Sequence, residues 1–277
     1  MFEPKKVNSI KNTNPSSSSI SLSAVIITKN EEKNIARCLD SLLGIADEIL
    51  VVDSFSSDKT EEICRQRCVR FIQHSFEGHI EQKNFALGQT IHPYVLSLDA
   101  DEALDEELKK SILAIKKNWV SDGYSMNRLT NYCGKWIKFG NWYPDTKLRL
   151  WDKAQGEWGG LNPHDQVIMK PKAKVQKLKG HLLHYSFYSI EDHILKMNNL
   201  SGISARAYFE HGKRASWLHI LLSPLLSFIK GYWIKAGFRS GFYGFVIAMI
   251  DAHFAFIKYV KLRELQKNSK KMPDSTI

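Results

Sequence analysis

The first 119 residues alternate short apolar runs with amphipathic stretches. Apolar and β-branched residues are concentrated at positions 22–28, 48–52, 69–73 and 94–99. The stretches between and after them predict helices, because apolar residues recur three and four positions apart, most clearly at Ile35, Cys38, Leu39 and Leu42. The last of these helices is predicted from Leu104 to Trp119. This alternation predicts βαβ units, and therefore an α/β fold with a mostly parallel, Rossmann-like sheet covered by helices on both faces.

In the rest of the chain, the composition and the predicted secondary structure change at two places. Residues 120–185 are rich in aromatic residues and glycine, and alternating runs such as TKLRLW at 146–151 predict antiparallel strands and loops. From Ser189 onward the pattern is helical, and residues 217–260 are strongly apolar. The polar N-terminus has no apolar segment of the kind found in signal peptides, which predicts a disordered leader and a cytoplasmic location. We therefore divide the chain into a leader at 1–20, an α/β domain at 21–188 and a C-terminal amphipathic helical region at 189–277.

The charge of the chain is unevenly distributed. Among 277 residues, 39 Lys and Arg exceed 29 Asp and Glu, for a formal charge of +10. The whole excess lies in residues 170–277, where 18 basic residues accompany 6 acidic ones. Such a region indicates a polyanionic partner, which is a nucleic acid, an anionic membrane or a phosphorylated substrate. An apolar content of 43% and only four cysteines exclude a wholly disordered chain and a disulfide framework, so we expect free thiols.

Polar side chains follow three of the predicted strands. Ligands of open α/β sheets bind beyond the carboxyl ends of the strands, and Thr28, Asn30, Glu31, Asp53, Asp99 and Asp101 fall there. Two carboxylates two positions apart can face one hard cation that also binds phosphate oxygens, although capping of the next helix is the alternative. Asp53 can accept hydrogen bonds from a ribose or a base. The sequence has neither G-x-G-x-x-G nor a P-loop, which argues against a dinucleotide or P-loop fold.

Three of these segments together resemble a known family. TKNEE after the first strand, VVDSFSSDKT after the second and LSLDADE after the fourth resemble glycosyltransferase family 2. The resemblance implies a GT-A fold, a nucleotide-sugar donor, a divalent cation (Mg2+ or Mn2+) and inversion at the anomeric carbon. QKNFAL at 82–87 and the segment 237–262 resemble bacterial enzymes that add glucose to the lipopolysaccharide inner core. They imply a UDP-glucose donor and a lipopolysaccharide-core or other lipid-linked acceptor.

The resemblance also implies roles for individual residues. Base and ribose contacts fall on Thr28, Asn30, Glu31 and Asp53, and the diphosphate contact falls on Lys83. Asp99 corresponds to a ribose-side and metal-side carboxylate, Asp101 to the main metal ligand, and His184 to a downstream ligand, with a hydrogen-bonded core histidine as its alternative. Residues 157–165, EWGGLNPHD, resemble the family's glycine loop followed by its acidic catalytic position. Asp165 corresponds to the catalytic base, although the family often has Glu or Glu-Asp where this chain has His164 and Asp165. An exposed loop acid is the alternative for Asp165. Predicted acceptor or sugar contacts are Trp158, Gly159, Gly160, His164 and Trp142; His164 is alternatively a metal ligand.

The apolar segment 241–260 is long enough to cross a bilayer. Asp251 lies near its centre, where a charge is costly, and it continues a polar stripe with Ser240, Gly244 and Lys258. This pattern favours a helix that lies in the membrane interface or packs on the domain. Basic side chains of the region can meet anionic headgroups at about 1 kcal/mol each. The alternative is an ordinary helical appendage or a homo-oligomer interface.

The sequence thus predicts a metal-dependent inverting glycosyltransferase at the cytoplasmic face of the membrane. A sugar-1-phosphate nucleotidyltransferase is one alternative, but it should have a glycine-rich basic loop where this chain reads TKNEEKN. A non-catalytic, membrane-bound nucleotide-sugar-binding protein is another. Nucleic-acid binding is the least favoured, because the basic tail is interleaved with long apolar runs.

Overall fold

The computed structural model describes residues 19–161 and 164–269, without the side chains of Leu161 and His164. The leader predicted at 1–20 lies almost wholly outside the described residues. Cys38, Cys64, Cys68 and Cys133 are all free thiols, as predicted.

The first half of the described chain forms the parallel part of the sheet. Its strands are β1 (Leu22–Thr28), β2 (Glu48–Asp53), β3 (Arg70–Gln73) and β4 (Tyr94–Asp99), which lie parallel in the order β3-β2-β1-β4. The helices are α1 (Ile35–Leu42), α2 (Thr60–Gln66), α3 (His79–Gly88) and α4 (Glu106–Lys117). All four predicted strands are therefore confirmed, and each is followed by a helix within the predicted segment.

Both faces of this part of the sheet are buried. Ala24 and Ile26 of β1 pack in a core with α1 and α4, whereas Val25 between them packs in a second core with Ala86 of α3. Burial on both faces explains why the strands read as continuous apolar runs.

The second half makes the sheet mixed. Its strands are β5 (Glu102–Leu104), β6 (Gly123–Tyr132), β7 (Lys135–Ile137), β8 (Asp145–Asp152), β9 (Gly156–Leu161), β10 (His164–Met169) and β11 (Val175–Phe187). β8 lies antiparallel between β4 and β6, while β6 and β11 pair in parallel. β5 pairs antiparallel with β11, and it occupies Leu104, where the sequence predicted the start of a helix. β9 and β10 form a separate antiparallel hairpin.

The C-terminal region is helical, as predicted from Ser189 onward. α5 (Ile190–Glu210) begins after Ser189, whose hydroxyl accepts a hydrogen bond from the Asp192 backbone amide. α6 (Trp217–Phe228) continues into a π-helical turn at Ile229–Ile234, and a 3-10 turn at Gly237–Ser240 leads into α7 (Gly241–Ser269). Ile247 of α7 shares a small core with Tyr132, Ile137 and Phe187 of the sheet. The division into separate domains stays a prediction.

One helical stretch within the described residues, Gly237–Ser269, is long and apolar enough to cross a membrane. The criterion concerns length and composition only, and 33% of the apolar window is buried inside the protein. It does not distinguish a spanning helix from one that packs on a soluble domain.

Candidate active site

A cleft of about 1330 Å³ opens at the carboxyl ends of β1 and β4. Side chains from the sheet, from α3, from the β9–β10 hairpin and from α5 line it. Most of the predicted site residues meet in this cleft, namely Thr28, Glu31, Lys83, Asp99, Asp101, Trp142, Trp158, Asp165 and His184. Asn30 and Asp53 do not line it.

Lys83 joins two of the predicted carboxylates. Its Nζ atom lies 2.9 Å from Oδ1 of Asp99 and 2.7 Å from Oδ2 of Asp165. The Lys83 side chain is only 3% exposed, and its ammonium group lies 4.4 Å from the centre of the Trp158 ring. The fold thus brings the candidate base on β10 to the strand-end carboxylate of β4 through one buried cation on α3.

Arg149 extends this network, and the sequence analysis missed it. One guanidinium nitrogen lies 2.9 Å from Oδ2 of Asp99 and 3.1 Å from Oε1 of Glu102. Glu102 is fully buried and also accepts hydrogen bonds from the Asp99 backbone amide and from Arg128. Burial alone would raise the pKa of Asp99, but the charges of Lys83 and Arg149 hold it well below its usual range. The sequence contains a signal for this residue, because Arg149 is the one charged residue inside the apolar run LRLW.

Asp101 and His184 form a second pair in the cleft. The Asp101 carboxylate lies 3.1 Å from Nε2 of His184, and the other ring nitrogen lies 3.5 Å from the Thr130 hydroxyl. Burial raises the pKa of Asp101, yet the neighbouring His184 brings it below its usual value. His184 is therefore oriented towards the predicted metal ligand.

The predicted cation site is only partly assembled from protein groups. Over residues 19–161 and 164–269, no group of three His, Cys, Asp or Glu side chains is arranged to hold a metal ion. Both oxygens of Asp99 face cationic side chains, which leaves Asp101 and His184 as the pair that could bind a cation. Mg2+ characteristically uses one or two carboxylates and completes its shell with water and substrate phosphates, so this pair fits a cation bound together with a donor. The role of Asp99 as a metal ligand stays a prediction.

The predicted base and ribose contacts divide into two groups. Thr28 and Glu31 line the cleft, and the buried Thr28 hydroxyl has no hydrogen-bond partner within the described part of the chain. Asp53 is fully buried and accepts hydrogen bonds from the amide and hydroxyl of Ser56. Asn30 adopts a positive φ of 54° and accepts a hydrogen bond from the Ser57 amide. Asn30 and Asp53 thus hold the loop after β2, and their contact with a donor stays a prediction.

The predicted glycine loop is a strand hairpin over its described residues. Asp165 of β10 pairs with Gly160 of β9. A Cβ atom at Gly159 would lie 2.5 Å from Cδ1 of Ile168, so a larger residue there would displace this half-exposed side chain. Asn84 of α3 holds β9 by exchanging two hydrogen bonds with the backbone of Trp158, at 2.9 and 3.0 Å. The side chain of His164 lies outside the described atoms.

Trp158 and Trp142 both line the cleft, but they also belong to apolar clusters. Trp158 is 4% exposed and lies between Lys83 and Arg149, and its indole nitrogen has no hydrogen-bond partner among the described atoms. Trp142 packs against Tyr132, Phe187 and His193. Their contact with a sugar therefore stays a prediction.

Comparison with known proteins identifies the family. A sequence model described as glycosyl transferase family 2 matches residues 23–169, which is more than half of the chain. The chain belongs to glycosyltransferase family 2. The GT-A class of fold expected from the sequence is thereby confirmed, with a sheet that is mixed beyond its fourth strand.

Curated relatives of this glycosyltransferase extend over most of its length. An uncharacterized glycosyltransferase of Rickettsia typhi is 34% identical over 260 residues, which cover 90% of this chain and 89% of the relative. The lipopolysaccharide core biosynthesis glycosyltransferase LpsC of Rhizobium meliloti is 31% identical over 251 residues, covering 87% and 91%. Among solved structures, a TarS fragment of S. aureus in complex with UDP covers 93% of each chain at 17% identity and a TM-score of 0.44, a likeness too distant to bear on function.

The cleft gives this glycosyltransferase a set of opposed charges close to one another. Carboxylates can take up a proton, and buried cations can stabilise negative charge that develops on a leaving group. Asp165 has a carboxylate at the cleft surface, and Lys83 and Arg149 carry fixed positive charges beside it. The site can therefore support displacement of an anionic leaving group by a deprotonated hydroxyl.

Proposed function

We propose that this glycosyltransferase is a metal-dependent, inverting hexosyltransferase with Asp165 as its catalytic base. The observation that carries the proposal is the position of Lys83, which contacts Asp165 and the strand-end carboxylate Asp99 in one cleft. A single displacement needs a base for the acceptor hydroxyl and cationic groups for the leaving diphosphate within one site. Lys83 contacts the candidate base and lies at the strand end where the diphosphate is proposed to bind.

The donor half of the cleft fits a nucleoside diphosphate sugar, and the resemblance of the sequence points to UDP-glucose. The unpartnered Thr28 hydroxyl and the carboxylate of Glu31 lie at the end of β1, where a base and a ribose need polar partners. Asp101 and His184 would hold Mg2+ or Mn2+. When bound, the cation would neutralise charge on the diphosphate.

The transfer step follows from these positions. The acceptor hydroxyl oxygen forms a bond to the anomeric carbon while the bond from that carbon to the diphosphate oxygen breaks. The proton of the acceptor hydroxyl passes to the Asp165 carboxylate, and the diphosphate leaves with the electron pair of the broken bond. Lys83 lies 2.7 Å from Asp165 in the absence of donor. If the Lys83 ammonium group pairs partly with an entering diphosphate, its hold on Asp165 weakens and Asp165 is free to accept the proton.

The acceptor is proposed to be a lipopolysaccharide core or another lipid-linked saccharide. LpsC, at 31% identity, is named for lipopolysaccharide core biosynthesis. The C-terminal region also has the surface that a membrane-bound acceptor would require. Residues 211–250 contain Lys213, Arg214, Lys230, Lys235 and Arg239 and no acidic residue.

Apolar side chains are exposed along the same region. They are concentrated on α6 and the π-helical turn and include Trp217, Leu218, Leu221, Leu225, Leu226, Trp233 and Ile234, each more than half exposed. The sequence predicted that 241–260 lies in the membrane interface or packs on the domain, and α7 buries part of its surface against α5 and α6. We therefore propose that α6 and the π-helical turn, here called the α6 surface, lie against the cytoplasmic face of an anionic membrane.

Donor and metal dependence can be tested together. Thermal shifts with a panel of nucleotide sugars, with and without Mg2+ or Mn2+, should show stabilisation by UDP-glucose that requires the cation. Asp101→Asn should abolish this cation-dependent stabilisation by UDP-glucose. Indifference of the protein to every nucleotide sugar would overturn the proposed function and would also exclude the non-catalytic nucleotide-sugar-binding alternative.

The catalytic base can be tested separately. Asp165→Asn should lower the transfer rate by about 100-fold or more while donor binding is retained. Glu157→Gln, at an exposed acid of the same hairpin, is the matched control and should keep full turnover. Retained turnover in Asp165→Asn would reject the residue as the base. Family membership itself argues against the nucleotidyltransferase alternative.

A further inference from the structure

The loop between β7 and β8, residues 138–144, is hydrogen-bonded to the C-terminal helical region. The Gly140 amide donates a hydrogen bond of 2.9 Å to the Lys235 carbonyl. The Asn141 amide group donates to the Asp251 carboxylate over 3.2 Å, and the Trp142 side chain also hydrogen-bonds to it. Three consecutive residues of the loop are thus tied to the π-helical turn and to α7.

The opposite side of the same loop faces the cleft. Asn141, Trp142 and Pro144 line it, and in the sheet β4 separates β8, where the loop ends, from β1, where the donor is proposed to bind. The loop therefore forms a wall of the cleft at the place that remains for an acceptor.

The helical region is shaped closely to this loop. A Cβ atom at Gly231 would lie 2.7 Å from the amide nitrogen of Asn141. Ala236 has a positive φ of 55°, which is uncommon for a residue with a side chain. The Arg239 guanidinium lies 4.0 Å from the Phe139 ring centre. Irregular helical turns of this kind often mark functional positions, and here the turn fits the back of a cleft wall.

The same turn also presents apolar side chains outward. Trp233 is 61% and Ile234 74% exposed, and both belong to the α6 surface proposed to contact the membrane. One short segment therefore lies between the proposed membrane contact and the wall of the cleft.

We propose that Asp251 is a positioning residue for the acceptor: by accepting hydrogen bonds from Asn141 and Trp142, it fixes the loop 138–144 as the acceptor-side wall of the cleft. The proposal rests on the proposed transferase function. Asp251 touches no reacting atom in it. The helical region that contacts the membrane would thereby also set the shape of the acceptor site.

An amide can replace the carboxylate in this role. Asp251 is 3.2 Å from Asn141, and an Asn side chain at position 251 would still offer a carbonyl oxygen as acceptor. Burial raises the pKa of Asp251 to about 6, and the protonated acid would keep a carbonyl oxygen that accepts hydrogen bonds. The variant Asp251→Asn therefore distinguishes a hydrogen-bonding role of this residue from an electrostatic one.

The kinetic test compares Asp251→Leu with Asp251→Asn in the full chain. Asp251→Leu should raise the KM for acceptor by about tenfold, while the KM for donor and the slow hydrolysis of donor without acceptor stay within about twofold. Asp251→Asn should restore an acceptor KM close to that of the wild type. Glu264→Gln, at an exposed acid of α7, is the control. An unchanged acceptor KM in Asp251→Leu, or an equal defect in Asp251→Asn, would overturn the proposal.

A second measurement does not depend on turnover. Amide hydrogen exchange of residues 138–144 should accelerate by about tenfold in Asp251→Leu and not in Asp251→Asn, while β4 stays protected. Gly231→Ala should loosen the same loop from the other side, whereas Gly88→Ala, where a Cβ atom meets nothing within 4 Å, should not. Unchanged exchange in the loop in both Asp251→Leu and Gly231→Ala would reject the positioning role. A wild-type protein without transfer activity but with this exchange pattern would instead reject the proposed function alone.

Discussion

At the scale of single residues, Lys83 links two carboxylates of the cleft. Its buried ammonium group contacts both Asp99 and Asp165. Removing one partner of a buried ion pair leaves an uncompensated charge, so Lys83→Met should destabilise the protein by about 3 kcal/mol. Urea unfolding at neutral pH measures the difference. Lys110→Met, at an exposed position of α4, should change stability little.

A second variant tests the cause of that loss. In Lys83→Met the Asp165 carboxylate loses its cation, whereas Asp99 keeps its contact with Arg149. Adding Asp165→Asn removes the charge that has lost its partner, so the double variant should recover part of the lost stability. A loss below about 1 kcal/mol in Lys83→Met, or no recovery in the double variant, would contradict the assigned ion pairs.

His193 gives a residue-scale prediction about pH. Its ring is buried and lies 3.0 Å from the Tyr132 hydroxyl, and burial, helped by the charge of Lys196, lowers its pKa from 6.5 to about 4. Between these two values the unfolded chain binds a proton that the folded protein does not. The free energy of unfolding should therefore fall as the pH decreases from 6.5 to 4.

The measurement compares the pH dependence of stability in two variants. His193→Gln should flatten the loss across that window, whereas His253→Gln, at an exposed position of α7, should leave the wild-type profile. A His193→Gln profile parallel to that of the wild type would show that this ring does not contribute.

At the scale of elements, the crossing of β11 over α4 depends on one glycine. Gly180 has a φ of +91°, and a Cβ atom there would lie 2.2 Å from the Leu108 amide nitrogen. Gly180→Ala should therefore destabilise the protein by about 3 kcal/mol or more, because the backbone of α4 must shift. Thermal unfolding measures the loss, and Gly88→Ala is the control with open space around the new methyl group. Equal melting temperatures for the two variants would contradict this packing.

The short elements of the fold are the ones that sequence patterns do not predict. β1 and β4 could be predicted because their burial on both faces appears directly as apolar runs. β5 could not, since its three residues are strand only through pairing with β11, about eighty positions away. The hairpin of β9 and β10 was likewise predicted only as a glycine loop, because its pairing depends on contacts with Ile168 and with Asn84 of α3.

At the scale of the whole molecule, basic and apolar side chains coincide on one region. Leu218, Leu221 and Leu225 of the α6 surface are 67%, 66% and 55% exposed. Replacing all three by Ser should weaken binding to vesicles of phosphatidylethanolamine and phosphatidylglycerol by about 100-fold, since burying the exposed part of each leucine contributes about 1 kcal/mol. Co-sedimentation measures the binding. Leu43→Ser with Ile91→Ser, at apolar residues that are equally exposed on the α/β domain, is the control.

Salt and lipid charge test the basic residues of that surface. Binding should weaken when the salt concentration rises from about 0.1 M to about 0.5 M, and also when phosphatidylcholine replaces the anionic lipid. Unchanged vesicle binding by the triple variant would contradict the proposed contact between the α6 surface and the membrane. A change from dimer to monomer in the triple variant would assign the surface to a homo-oligomer instead.

The sequence by itself determined the alternation of strands and helices from β1 to β4, the acidic residues at the strand ends and the family. These follow from local patterns, because burial and turn chemistry leave a periodic record along the chain. Only the tertiary structure decided which groups meet: Lys83 with Asp165, Arg149 with Asp99 and Glu102, and Asp251 with the wall of the cleft. Such partners lie tens of residues apart, and their contacts depend on the packing of whole elements, which no local pattern records.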